Sequence, residues 1–136
     1  MSEVAPSLDD TSIFSFEEGI IGVPRARRFQ LLEREDSAVK ILRCIDIEGF
    51  SLPVVDPLLA DPEYSPRLGP RVMQALGVEQ DDPVLVLAVA TLEGAEVFAN
   101  LKAPVVVNVR QRQALQVILD GRDYALRAPV AVSIRS

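Results

Sequence analysis

Hydrophobic and polar positions in this chain follow a two-residue period in one short segment after another, and switch to a helical period once. Phe14 and Phe16 alternate with Ser15 and Glu17, which places both rings on one face of a strand. Residues 29–32 read as the next strand, and residues 38–47, rich in β-branched side chains, as a third. Residues 50–55 predict an edge strand, because Pro53 cannot donate to a ladder. Residues 84–90 are apolar at every position, the pattern of a central strand buried on both faces. Residues 95–101, 105–109, 115–119 and 124–126 complete the strand set. Charged or glycine-containing turns separate these segments, at 33–37, Glu48-Gly49, Glu93-Gly94, 110–113 and Asp120-Gly121.

The helical switch falls at residues 66–76. Leu68, Val72, Met73 and Leu76 form one apolar stripe, Ser65 is placed to cap it, Pro66 suits its first position and Gly77 the position past its end. Gly69 and Pro70 weaken the first turn, so Pro70 is a second candidate start. The expected fold is mainly β: a small antiparallel β-barrel or roll with one short α-helix at about residues 66–76. Residues 1–136 read as one domain, with residues 1–12 as a loose polar arm.

Composition narrows the function more than the fold. The 136 residues are 49% hydrophobic and 25% charged, enough to build a core without staples. Cys44 is the single cysteine; inside an apolar run it reads as a small core residue of a reducing compartment. No apolar run is long enough to span a membrane, and the acidic N-terminus lacks the layout of a secretory signal, so a cytoplasmic location is expected. With no histidine and one cysteine, neutral-pH acid–base chemistry and zinc sites lose their usual side chains. No enzymatic activity, metal or other cofactor is expected.

The formal net charge is −6, and residues 1–24 hold five acids and no base. Such a chain repels phosphate backbones and is steered toward basic partners. Two small basic clusters, Arg25, Arg27 and Arg28, and Arg110 and Arg112, lack interleaved aromatic rings for base stacking. The segment Glu17-Glu18-Gly19-Ile20-Ile21-Gly22-Val23-Pro24 is the most distinctive stretch. A G-x-x-G loop can clamp a nucleic-acid backbone between two helices. Here it follows a strand, holds two isoleucines that offer phosphate nothing, and is preceded by two carboxylates. It reads instead as a glycine-enabled turn presenting Glu17 and Glu18 as acidic contacts, and Ile20, Ile21 and Val23 as an apolar contact, to a protein. The alternative is a small RNA-binding module using the Gly19–Gly22 loop and nearby arginines. A divalent-metal hydrolase built on Asp9-Asp10, Glu17-Glu18 or Asp81-Asp82 is disfavoured, since adjacent strand residues face opposite ways. Asp56 and Asn100, polar beside apolar runs, read as side chains that satisfy backbone groups at strand ends.

Four pieces of the chain belong together: residues 14–22 with Phe29 and Leu31; Leu52-Pro53-Val54-Val55-Asp56-Pro57 with Asp61-Pro62-Glu63-Tyr64; Asn100-Leu101-Lys102-Ala103-Pro104-Val105-Val106-Val107-Asn108; and Gln116-Val117-Ile118-Leu119 with Tyr124 and Arg127. In this order and spacing they resemble the FliW family of flagellar assembly factors. The third is similar to the pattern N-L-[KQ]-A-P-[IV]-x-[IV]-N and is the most specific. Departures occur at Ile21, where the family usually has proline, and at Val23, Ala60 and Ala114. The resemblance implies a non-enzymatic, chaperone-like protein that binds flagellin and, when free, binds the RNA-binding repressor CsrA and relieves repression of flagellin translation. It implies no direct nucleic-acid or membrane partner and a monomer when free. It also adds Asn100, Lys102 and Asn108 as partner-binding residues, through their match to the signature alone.

Overall fold

The structure, a computed structural model, describes residues 13–131 except Glu35, Gln80 and Arg122; the expected N-terminal arm lies outside the described residues. Alternation and turn chemistry produce nine strands among these residues: β1 (Ile13–Phe16), β2 (Arg28–Leu32), β3 (Lys40–Cys44), β4 (Ser51–Val55), β5 (Val84–Glu93), β6 (Glu96–Ala99), β7 (Val105–Asn108), β8 (Gln113–Gln116) and β9 (Ala128–Pro129). A 3-10 turn, Pro57–Leu59, and one helix, α1 (Gly69–Ala75), lie between β4 and β5.

Neighbouring strands run β4-β3-β2-β1-β8-β7-β5, and pairing of β4 with β5 closes these seven into a ring. Closure removes the free edges that an open sheet would expose. The ladders are antiparallel except β1–β8, which is parallel over Ser15–Phe16 and Gln113–Ala114. That pair departs from the expected all-antiparallel arrangement. Residues 17–112 separate the two strands, so no hairpin turn dictates their relative direction, and Ser15 N donates to Arg112 O at 2.9 Å. β6 and β9 extend the ring outward from the far half of β5. Arg127 fastens this extension, its guanidinium 4.1 Å from the centre of the Phe98 ring and ion-paired with Glu93.

Pro53 does not mark an edge strand. β4 pairs with β3 over Ser51–Val54 and with β5 only at Val54 and Val55, so Pro53 precedes the second ladder and costs it no bond. The apolar run at 84–90 is central as expected, pairing with β4, β6 and β7, but it continues to Glu93 and leaves Leu85 exposed. The expected strands at 115–119 and 124–126 are displaced to β8 and β9. The helix begins at Gly69, and no side chain caps it, Ser65 included. Its end follows the sequence: Gly77 takes φ +65°, and Gly77 N and Val78 N donate to Gln74 O and Met73 O, the bonds of a Schellman motif.

Two apolar clusters flank the ring strands. One gathers Phe14, Phe16, Ile20, Phe29, Leu42, Cys44, Val54 and Leu87. Phe16 and Phe50 both meet Phe29 edge-on, at 5.1 and 6.1 Å between ring centres. The other gathers Val55, Tyr64, Ala88, Ala90, Val97, Leu101 and Leu119. Adjacent residues of β4 and β5 fall in different clusters, as strand alternation requires.

Candidate functional site

The Gly19–Gly22 segment is a tight hairpin-like turn. Ile20 N donates to Val23 O at 3.3 Å and Val23 N to Ile20 O at 2.7 Å. Ile21 and Gly22 occupy its two central positions, and Gly22 at φ +86° supplies the positive φ that a type II turn needs at its third residue. Gly19, at φ +72°, lets the chain pass Pro24: a Cβ there would sit 2.2 Å from the Pro24 carbonyl oxygen.

This geometry divides the residues expected to form a contact. Glu17, Glu18 and Ile21 are exposed, Ile21 at 48%. Among the described residues neither carboxylate has an ion-pair partner. Val23 is half-buried against the first cluster. Ile20 is buried within that cluster, at 6% exposure, so the expectation of an exposed Ile20 is corrected. The pairing with Val23 turns one isoleucine inward and leaves the other at the apex.

The arginines beside the turn are partly committed. Arg28 Nε and Nη2 both donate to Asp46 Oδ1 at 3.1 Å, while the backbone N–H groups of Arg27 and Arg28 donate to Oδ2 at 3.0 and 2.7 Å. Burial, the largest single influence on Asp46, pushes its carboxyl up, but those backbone bonds and the Arg28 guanidinium together hold it below its ordinary value. Arg110 Nε lies 3.3 Å from Asp82 Oδ1. Two of the five arginines that an RNA module would use therefore already hold carboxylates.

The signature residues have their polar groups turned to the backbone. Asn100 Oδ1 accepts from Lys102 N at 3.0 Å and Ala103 N at 3.2 Å, folding residues 100–103 into a loop. Lys102 Nζ donates to Leu119 O and Gly121 O, both at 3.0 Å. Asn108 is fully buried: Nδ2 donates to Leu76 O at 2.9 Å and Oδ1 accepts from Gln111 N at 3.3 Å. Asn108 has no surface to give a partner, which corrects its expected place in the contact. Asn100 and Lys102 are half-buried and support the loop. Asp56 behaves as expected, its Oδ1 accepting from Leu58 N at 3.0 Å.

Tyr64 and Gln116 join segments that the sequence reading left separate. The Tyr64 hydroxyl donates to Leu101 O at 2.7 Å, and its ring meets Tyr124 edge-on at 5.9 Å. Burial, with a smaller contribution from Tyr124, pushes the Tyr64 phenol up to about 12. Gln116 reaches from β8 to the Gly19–Gly22 turn on one side and to Ala103 on the other. Its place in an apolar stretch was a visible signal; its partners, distant in sequence, were not. The four signature segments thus form one hydrogen-bonded network.

A second surface draws on residues of both clusters. A cleft of about 400 Å³ is lined by Leu31, Leu58, Tyr64, Leu85 and Leu87, with Lys40 among its polar residues. Leu58 and Leu85 are 48% and 40% exposed. Among the described residues no group of three metal-ligating side chains converges, and no helix is long and apolar enough to cross a membrane.

Comparison with known proteins places this geometry. The sequence model of the family described as FliW protein matches residues 4–130. The Flagellar assembly factor FliW of Thermotoga neapolitana is 34% identical over 124 residues, 88% of this chain and 83% of that protein. Its counterpart in Thermoanaerobacter pseudethanolicus is 30% identical over 128 residues, 91% of this chain and 85% of that protein. A solved structure titled as the crystal structure of the flagellar assembly factor FliW superposes with a TM-score of 0.84 at 27% identity, covering 91% of this chain and 89% of that one.

Proposed function

We propose, from the premise that the chain belongs to the FliW family, that it is a non-enzymatic flagellar assembly factor of the cytoplasm that binds flagellin and, when free, binds CsrA and relieves repression of flagellin translation. The observation that carries the reading beyond family membership is the turn itself: two exposed carboxylates, without an ion-pair partner among the described residues, beside an exposed isoleucine on a sterically fixed backbone. An RNA-binding repressor carries basic surface, and carboxylates presented on a rigid turn complement it. We assign the acidic turn, with Glu17, Glu18, Ile21 and the rim of Val23, to CsrA. We assign the apolar cleft around Leu58 and Leu85 to flagellin, because it is a concave site with exposed leucines. Asn100, Lys102 and Asn108 serve binding indirectly, by holding the loop and the end of α1.

Calorimetry with purified flagellin and purified CsrA tests the reading, which expects micromolar or tighter binding of each. Reversal of both charges, Glu17→Lys with Glu18→Lys, is expected to slow association with CsrA about tenfold at low salt, the scale of electrostatic steering. It is expected to leave the melting temperature and flagellin binding unchanged. Absence of binding to both partners by the wild type sinks the proposal; unchanged CsrA kinetics in the double variant removes the carboxylates from the site.

A further inference from the structure

Gln116 stands at the end of β8, half-buried, between two loops of different origin. Its Oε1 accepts from Ile21 N at 3.0 Å and its Nε2 donates to Ala103 O at 3.2 Å. The two partners fix the amide's orientation, because rotation by half a turn would set donor against donor and acceptor against acceptor. Ile21 N is the second residue of its turn, where the turn's own bonds, between Ile20 and Val23, do not use it. Ala103 belongs to a loop that is itself braced, by Asn100 Oδ1 on its backbone and by Lys102 Nζ on Leu119 O and Gly121 O. The amide therefore ties a small exposed turn to a well-anchored base.

We propose that Gln116 is a positioning residue for the partner contact: its side-chain amide holds Ile21 in the pose that a protein partner meets, without touching the partner. The inference rests on the reading of the turn as a protein-contact site. A turn released from the amide samples other poses, and the apparent affinity falls by the fraction of time spent in the competent one. The loss should appear in the association rate, since the bound contacts are unchanged.

The experiment has a local readout and a binding readout. Amide exchange by NMR in the wild-type protein should show Ile21 N–H exchanging at least about tenfold more slowly than Gly22 N–H in the same exposed turn, as expected for a bonded amide. Equal rates would overturn the clamp even if no variant folds. In Gln116→Met, which keeps the side chain's length and removes both bonds, Ile21 exchange should rise to the Gly22 rate. Affinity for CsrA should fall about tenfold, mainly through slower association, with the melting temperature nearly unchanged. Gln113→Met, on the same strand, should change neither readout. If the wild type binds CsrA and Gln116→Met binds it equally well, the positioning role is overturned and the contact reading stands. If the wild type binds neither CsrA nor flagellin, the contact reading is overturned and takes the positioning role with it.

Discussion

Gly19 and Gly22 look alike in the sequence and carry different burdens in the fold. Both need positive φ, but a Cβ on Gly19 would collide with the Pro24 backbone at 2.2 Å, whereas one on Gly22 would meet open space. Gly22→Ala should cost about 1–2 kcal/mol, the left-handed penalty alone. Gly19→Ala adds a collision with a carbonyl that cannot rotate away, and should cost more than about 3 kcal/mol or break the turn. Urea denaturation of both variants checks this, and equal costs would mean that Pro24 does not lock the turn. The glycine pair and the exposed acids were legible in the sequence. The burial of Ile20 was not, because two adjacent isoleucines have the same hydrophobicity and only the Ile20–Val23 pairing decides which one turns inward.

Strand periodicity carried most of the element assignments, since period-two alternation depends only on which face meets a core. It failed where long-range partners decide. The parallel pairing of β1 with β8, the second neighbour of β4 and the shift of the last strands toward Ala128 are set by contacts far along the chain. The signature segments show the same limit. Asn100, Lys102 and Asn108 are recognisable as a pattern, and Asn100 bonds the loop just after it, yet the carbonyls that Lys102 and Asn108 reach lie on other elements. Tyr64 tests how these elements are joined. Its buried phenol bonds to Leu101 O, so Tyr64→Phe should cost about 1–2 kcal/mol at neutral pH. The folded protein holds the phenolic proton up to about 12 against the ordinary 10.0. The native state therefore keeps a proton that the unfolded chain releases, and stability falls as pH rises through that window. Tyr64's contribution is fully present below pH 10 and lost by about 12. Chemical denaturation of wild type and Tyr64→Phe from pH 8 to 12 should show the gap between them closing only above pH 10. A constant gap would place the phenol in contact with water.

At the scale of the molecule, the ring makes the two apolar clusters depend on each other. Val54 belongs to one cluster and Val55 to the other, and Leu87 and Ala88 are divided in the same way. β4 and β5 are thus shared walls, and they also form the ladder that closes the ring. Losing either cluster would free one face of both strands and open the ring to water. Neither cluster can then unfold while the other persists, so the chain should behave as one cooperative unit. Val54→Ala and Val55→Ala, both fully buried in the wild type, should each destabilise by about 1–3 kcal/mol through lost burial and a residual cavity. The decisive feature is the shape of the transition. Scanning calorimetry should give a single peak in the wild type and in both variants, with calorimetric and van't Hoff enthalpies equal. Near-ultraviolet circular dichroism, which reads Phe and Tyr packing, should melt together with the far-ultraviolet signal. Two peaks in Val55→Ala, with the Phe16–Phe29 signal surviving the first, would mean that the ring stands without the cluster of Val55 and Tyr64. The extension by β6 and β9 would then be a separate layer, and the 136 residues would not fold as a single domain.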